Sequence, residues 1–91
     1  MRKIYKYPVH GDRYRLAHPA GGIFRHIGLQ NGVVTLWIEG DTEADDNWIE
    51  VRAYATGEEV GNGKFLGTVQ FPDGLVFHFF SVNVGGPHDS Q

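Results

Sequence analysis

No cysteine occurs anywhere in the 91 residues. That excludes disulfides and every cysteine-ligated zinc or iron–sulfur centre. So short a chain builds only a small core, and what remains to reinforce it is metal held by histidine and carboxylate, or a partner subunit. Long apolar runs are missing as well. No stretch approaches the roughly 18 apolar residues of a membrane span, and the opening MRKIYKYPVH has no apolar segment of signal-peptide length. The sequence therefore reads as a cytoplasmic protein without a membrane partner. Methionine occurs once against twelve Phe, Trp and Tyr residues, so large rigid side chains rather than flexible ones are available for burial.

A surplus of positive charge is also absent. The net charge is −3, which argues against binding duplex nucleic acid, because neutralising phosphates needs an excess of Lys and Arg. The charge is unevenly distributed. Residues 1–38 hold Arg2, Lys3, Lys6, Arg13, Arg15 and Arg25 against Asp12 alone, a net +5, while residues 39–91 hold two basic and ten acidic residues, a net −8. Two readings follow: halves that attract one another in the fold or across subunits, or a basic patch for a small anion.

What is abundant is alternation. Ile49, Val51, Ala53 and Ala55 alternate with Trp48, Glu50, Arg52 and Tyr54; Val34, Leu36 and Ile38 oppose Val33 and Trp37; Ile23, Ile27 and Leu29 share a parity with Arg25. Period 2 recurs and period 3.6 does not. The pattern predicts strands at 2–9, 12–17, 22–30, 33–40, 47–56, 64–71 and 75–82, with a loop at 40–47 and no helix. Asn31-Gly32 is the preferred pair for a two-residue type I′ hairpin, and glycine-rich turns fall near Gly11, Gly21, Gly61 and Gly74. The expectation is an all-β, antiparallel sandwich or small barrel-like sheet of six to seven short strands. It forms one domain over residues 1–84, and residues 85–91 read as a flexible tail. Strands 33–38 and 75–82 are apolar on both faces, which implies a second covering layer and points to a homo-oligomer.

Familiar catalytic and cofactor motifs fail on inspection. In Asp41-Thr42-Glu43-Ala44-Asp45-Asp46 the sixth position lacks the glycine of a calcium-binding loop, and Arg52 stands where its closing glutamate belongs. Around Gly57–Lys64 the glycine spacing is wrong for a phosphate-binding loop, and Phe65 replaces the magnesium-binding hydroxyl. The histidines His10, His18, His26, His78 and His88 show no metal-ligand spacing. Neither serine has nucleophile context. No cofactor or metal is expected, and acid–base work by His10 or His26 with Asp12 stays open.

One mixture points to binding. Arg13, Arg15 and Arg25 supply guanidinium groups suited to phosphate, and Tyr14 or Trp37 a face on which a base can stack. The same residues also suit an ordinary solvated sheet. Within Leu75-Val76-Phe77-His78-Phe79-Phe80, His78 is either a hydrogen-bonded passenger in the strand or the polar tip of a pocket wall.

Several segments carry a family resemblance: Arg2-Lys3-Ile4-Tyr5-Lys6-Tyr7-Pro8, the hairpin through Gln30-Asn31-Gly32 to Leu36-Trp37, Val51–Gly57, Phe65-Leu66-Gly67-Thr68 and Gly74–Phe80. With them the chain resembles an uncharacterised family of short phage and prophage proteins. Where that family's middle segment ends in histidine, this chain has Glu58; its closing Val-x-His is present at Val76-Phe77-His78. The resemblance implies a small accessory protein of the bacterial host's cytoplasm, perturbing host defence. Such a protein would hold an anionic nucleotide-derived signal at a homo-oligomer interface, or inhibit a host protein through its acidic Glu39–Glu59 half. A minor virion component is a third reading.

Overall fold

The computed structural model describes residues 1–85. Most of the segment read as a tail lies outside the described residues. Seven strands form: β1 (Arg2–Pro8), β2 (Arg13–Pro19), β3 (Ile23–Gln30), β4 (Val33–Asp41), β5 (Asp46–Ala55), β6 (Lys64–Gln70) and β7 (Val76–Val84). All pair antiparallel in two sheets, β1-β4-β3 (sheet A) and β2-β5-β7-β6 (sheet B). The molecule is a small β sandwich, and its sheets do not close into a barrel. Among the described residues there is no helix, so none is long and apolar enough to cross a membrane.

The chain changes sheet in the β1–β2, β2–β3 and β4–β5 connections, while β3–β4 and β6–β7 are hairpins. The first hairpin turns on Asn31 and Gly32, whose φ angles of 52° and 79° are the two positive values a type I′ turn requires. In the second, Leu75 N–H donates to Asp73 Oδ1 (3.1 Å) and Gly74 N–H to the Phe71 carbonyl (2.9 Å). At one side of the sandwich β6 comes close to β3, where a Cβ on Gly67 would lie 2.6 Å from Ile27 Cγ2. Any larger residue there would force the sheets apart.

The core fills from the strand centres. Leu36 and Ile38 of β4 meet Ile49 and Val51 of β5, each at most 1% exposed, with Leu16, Ile27, Val34, Val69 and Phe79 around them. Burial of such side chains supplies about 1.5–3 kcal/mol apiece. One expectation from alternation fails. Ile23 pairs with Glu39 on the outer face and is 43% exposed, whereas Ile27 pairs with Leu36 on the inner face. The register shifts between Phe24 and His26, and this bulge at Arg25 adds one residue, which reverses the parity.

The edges are blunted by composition. Edge strand β1 carries Lys3, Lys6 and Pro8, β2 carries Arg13, Arg15 and Pro19, and both β3 and β6 are interrupted by register shifts. These features discourage strand addition. The outer faces of β4 and β7 meet no second layer among the described residues. In urea titrations Leu36→Ala is expected to lose about 2–5 kcal/mol, and Ile4→Ala, on the outer face of β1, to stay within about 0.5 kcal/mol.

Candidate functional site

Register decides which polar side chains meet. On the outer face of sheet B, Arg15 of β2 lies opposite Glu50 of β5, and Arg13 opposite Arg52. Two arginines directly across a ladder repel; the carboxylate one position along resolves the conflict. Glu50, 6% exposed, accepts from Arg52 Nε at 2.7 Å and Arg15 Nε at 3.0 Å, with Arg13 Nη1 at 3.5 Å. The Arg52 hydrogen bond holds the Glu50 carboxyl below its ordinary value; burial opposes this and the Arg15 bond adds to it. Arg13 is the outermost of the three cations, its side chain 63% exposed.

An aromatic ridge adjoins this cluster. Arg52 lies opposite Phe80 and Tyr54 opposite His78. Phe80 takes Tyr54 edge-on at 5.7 Å and Phe65 at 5.3 Å, and Phe65 is 56% exposed. Exposed aromatics beside arginine are the composition of binding surfaces.

His78 itself is a clamp. Its Nε2 lies 2.8 Å from Thr56 Oγ1 and its Nδ1 2.9 Å from Thr68 Oγ1. A hydroxyl can donate or accept, so either tautomer satisfies both bonds. The ring ties β7 to β6 and to the segment leaving β5.

The opposite face of the sandwich has its own cluster. Glu39 of β4 accepts from Arg2 Nε at 2.9 Å and from Arg25 Nε and Nη2 at 2.8 and 2.6 Å. These bonds, Arg2 first, lower the Glu39 pKa. Nearby, Trp37 packs on His26 with ring centres 5.5 Å apart. Tyr14 points inward, packed on the core with His10 edge-on at 5.6 Å.

The six residues singled out from the sequence are therefore divided: Arg13, Arg15 and His78 share the outer face of sheet B, Arg25 and Trp37 lie on that of sheet A, and Tyr14 belongs to the interior. Alternation already separates Tyr14 from its two arginine neighbours. Glu50, Arg52, Tyr54 and Phe65 join the sheet B cluster without having been singled out. The shared parity of Glu50, Arg52 and Tyr54 on β5 was legible, but the strands flanking it, including β6 with Phe65, were not.

A cleft of about 360 Å³ opens between the sheets at the β3–β4 turn, walled by Val9, Val34, Phe71, Phe77 and Phe79. His10 and Asp12 also line it, but they share no hydrogen bond among the described residues. No cluster of three His, Asp or Glu side chains is placed to hold a metal among those residues.

The Glu50 cluster makes a pH prediction. Because the folded-state pKa lies below the unfolded one, its stabilisation is fully present above the unfolded value, near 4.3, and is lost as pH falls through the folded value. Glu50→Gln is expected to cost about 1–3 kcal/mol at pH 7 by stranding partly buried arginines. Melting curves from pH 7 to pH 2 should show the gap between variant and wild type closing below about pH 4.

Comparison with curated proteins and with solved structures yields no significant match. Residues 1–89 match a family described as a domain of unknown function, DUF7352. With nearly its whole length aligned, the chain belongs to the DUF7352 family.

Proposed function

We propose that this protein is a non-enzymatic, self-associating binding module whose sheet B outer face takes an anionic, nucleotide-like small molecule. The observation that carries the reading is the juxtaposition of Arg13, Arg52 and the buried Glu50 with the Tyr54–Phe80–Phe65 ridge. Even with Arg15 fully engaged, two guanidinium groups share one carboxylate. That leaves positive charge beside a half-buried aromatic ridge ending in the exposed Phe65, a pairing suited to neutralising a phosphate while stacking a base.

A flat sheet covers only one side of a ligand, and tight small-molecule sites are concave. A second copy of the chain placed over the same face would enclose the ligand and cover the outward side chains of β7. Blunted edges support association by faces rather than by strand addition. The phage lifestyle implied by the sequence resemblance gives such a module a use in a bacterial cytoplasm: retaining a host nucleotide signal without turning it over.

Light scattering at micromolar concentration is expected to give at least twice the 10.2 kDa chain mass; a clean monomer overturns the self-association. Calorimetric titration with mononucleotides, dinucleotides and cyclic nucleotides is expected to find a binder whose affinity Arg13→Ala weakens by roughly tenfold or more, the weight of one charge-assisted hydrogen bond. Arg25→Ala, on the opposite face, is expected to bind as wild type. No binding by any nucleotide, or equal loss in both variants, overturns the site.

A further inference from the structure

The inner face of sheet B changes character along its length. On β2 the inward series Tyr14, Leu16 ends in His18; on β7 Phe77 and Phe79 give way to Ser81 and Asn83. The register brings these ends together, with His18 opposite Asn47, Asn83 opposite Ile49 and Lys64 opposite Ser81. Facing them are Phe24 of sheet A and Gly22 in the turn before β3, and the space between is a cavity of about 410 Å³. It lies on the reverse side of sheet B from the arginine cluster.

These polar side chains are not simply a wetted rim. His18 and Ser81 are buried, at positions where valine or isoleucine would extend the core. His18 Nδ1 lies 2.9 Å from the Pro19 carbonyl, which can only accept, so Nδ1 carries the proton and Nε2 presents a lone pair. That lone pair faces the Asn47 amide nitrogen at 3.5 Å, at the limit of a hydrogen bond, while the same nitrogen donates to Asn83 Oδ1 at 3.1 Å. Gly22 lets the wall approach this closely: a Cβ there would lie 2.8 Å from both His18 Nδ1 and Ile38 Cγ2.

Charge completes the picture. Among the described residues no carboxylate lines the cavity. The one Lys or Arg among the described lining residues is Lys64, whose ammonium sits 4.8 Å over the Phe24 ring and has no ion pair among those residues. A concave site with two amides, an imidazole, a hydroxyl and one cation unpaired among the described residues suits a polar molecule with one anionic group. A volume of about 410 Å³ falls in the small-molecule range.

We propose that this inter-sheet cavity binds a small hydroxyl-rich metabolite bearing one anionic group, a carboxylate or a phosphate. The anion meets Lys64, while the Asn47 and Asn83 amides and His18 Nε2 read the neutral hydroxyls. Nothing in this assignment depends on the outer face binding a nucleotide.

The test is a nuclear magnetic resonance titration of the full chain with gluconate, glucose 6-phosphate, glucose and inorganic phosphate. At least one of the first two is expected to shift the side-chain signals of Asn47, Asn83 and His18, and which one responds tells carboxylate from phosphate. Glucose and inorganic phosphate are each expected to bind at least tenfold more weakly than the responding compound. Lys64→Gln should weaken that compound by tenfold or more, and Asn83→Trp, changing an exposed residue at the cavity, should block it with the fold retained in the amide spectrum. Absence of shifts at those three residues overturns the assignment. So do shifts confined to Arg13 and Arg52 on the outer face, or binding unchanged in both variants.

Discussion

Two sheets of three and four strands enclose a single inner space, and a buried cluster whose most enclosed members are Leu36 and Ile38 of β4 and Ile49 and Val51 of β5 fills it. A sandwich this thin spends one face of each sheet on that contact and has nothing left to cover the other. Everything else in the molecule is arranged around this limit. The outer faces must hold their strands together without a hydrophobic layer, and they do so with charge.

Each sheet has a carboxylate on an interior strand that gathers arginines from neighbouring strands and, in sheet B, from its own. Glu39 on β4 joins Arg2 of β1 to Arg25 of β3, and Glu50 on β5 joins Arg13 and Arg15 of β2 to Arg52. The uneven charge of the chain thereby acquires a physical meaning: four arginines of the basic first part pair with two acids of the second. The two clusters are not equivalent. Glu39 is solvent-facing, where ion pairs add little to stability. Glu50 is buried, so removing it strands its partners. Electrostatics on sheet A orients strands; on sheet B it also keeps guanidinium groups beside an aromatic surface.

Local chemistry made the strands readable. Period-2 alternation located all seven, and Asn31-Gly32 announced its own turn through φ angles few other pairs adopt. The bulge at Arg25 was not readable, because one inserted residue leaves Ile23 and Ile27 looking like partners while placing them on opposite faces. Nor could the order β2-β5-β7-β6 be read, since it depends on pairings far apart in the chain. The candidate site suffered for that reason: Arg13 and Arg25 look alike in sequence, and the topology sends them to opposite sides of the sandwich. The polar end of the interior, by contrast, left a signal in plain view. Ser81 and Asn83 continue the parity of Phe77 and Phe79, and a polar residue on an inward parity marks a place where the core stops being a core.

The described histidines differ in how far their ring nitrogens are already committed. General base catalysis needs an imidazole nitrogen free to reach substrate and a second group orienting the ring. His78 has both nitrogens bound to threonine hydroxyls, and His26 lies against Trp37 and over Gly28. His10 faces Tyr14 edge-on without a hydrogen bond to Asp12. Among the described histidines only His18 combines an oriented ring with a nitrogen directed into a cavity, and its neighbour there is an amide rather than a carboxylate. An amide can hydrogen-bond a ligand's hydroxyl or the ring itself, but unlike a carboxylate it brings no negative charge to an imidazolium as it forms. Among the described residues, amides, a hydroxyl and a lysine share the cavity with His18, so its ring is positioned by neutral and cationic neighbours rather than by a carboxylate.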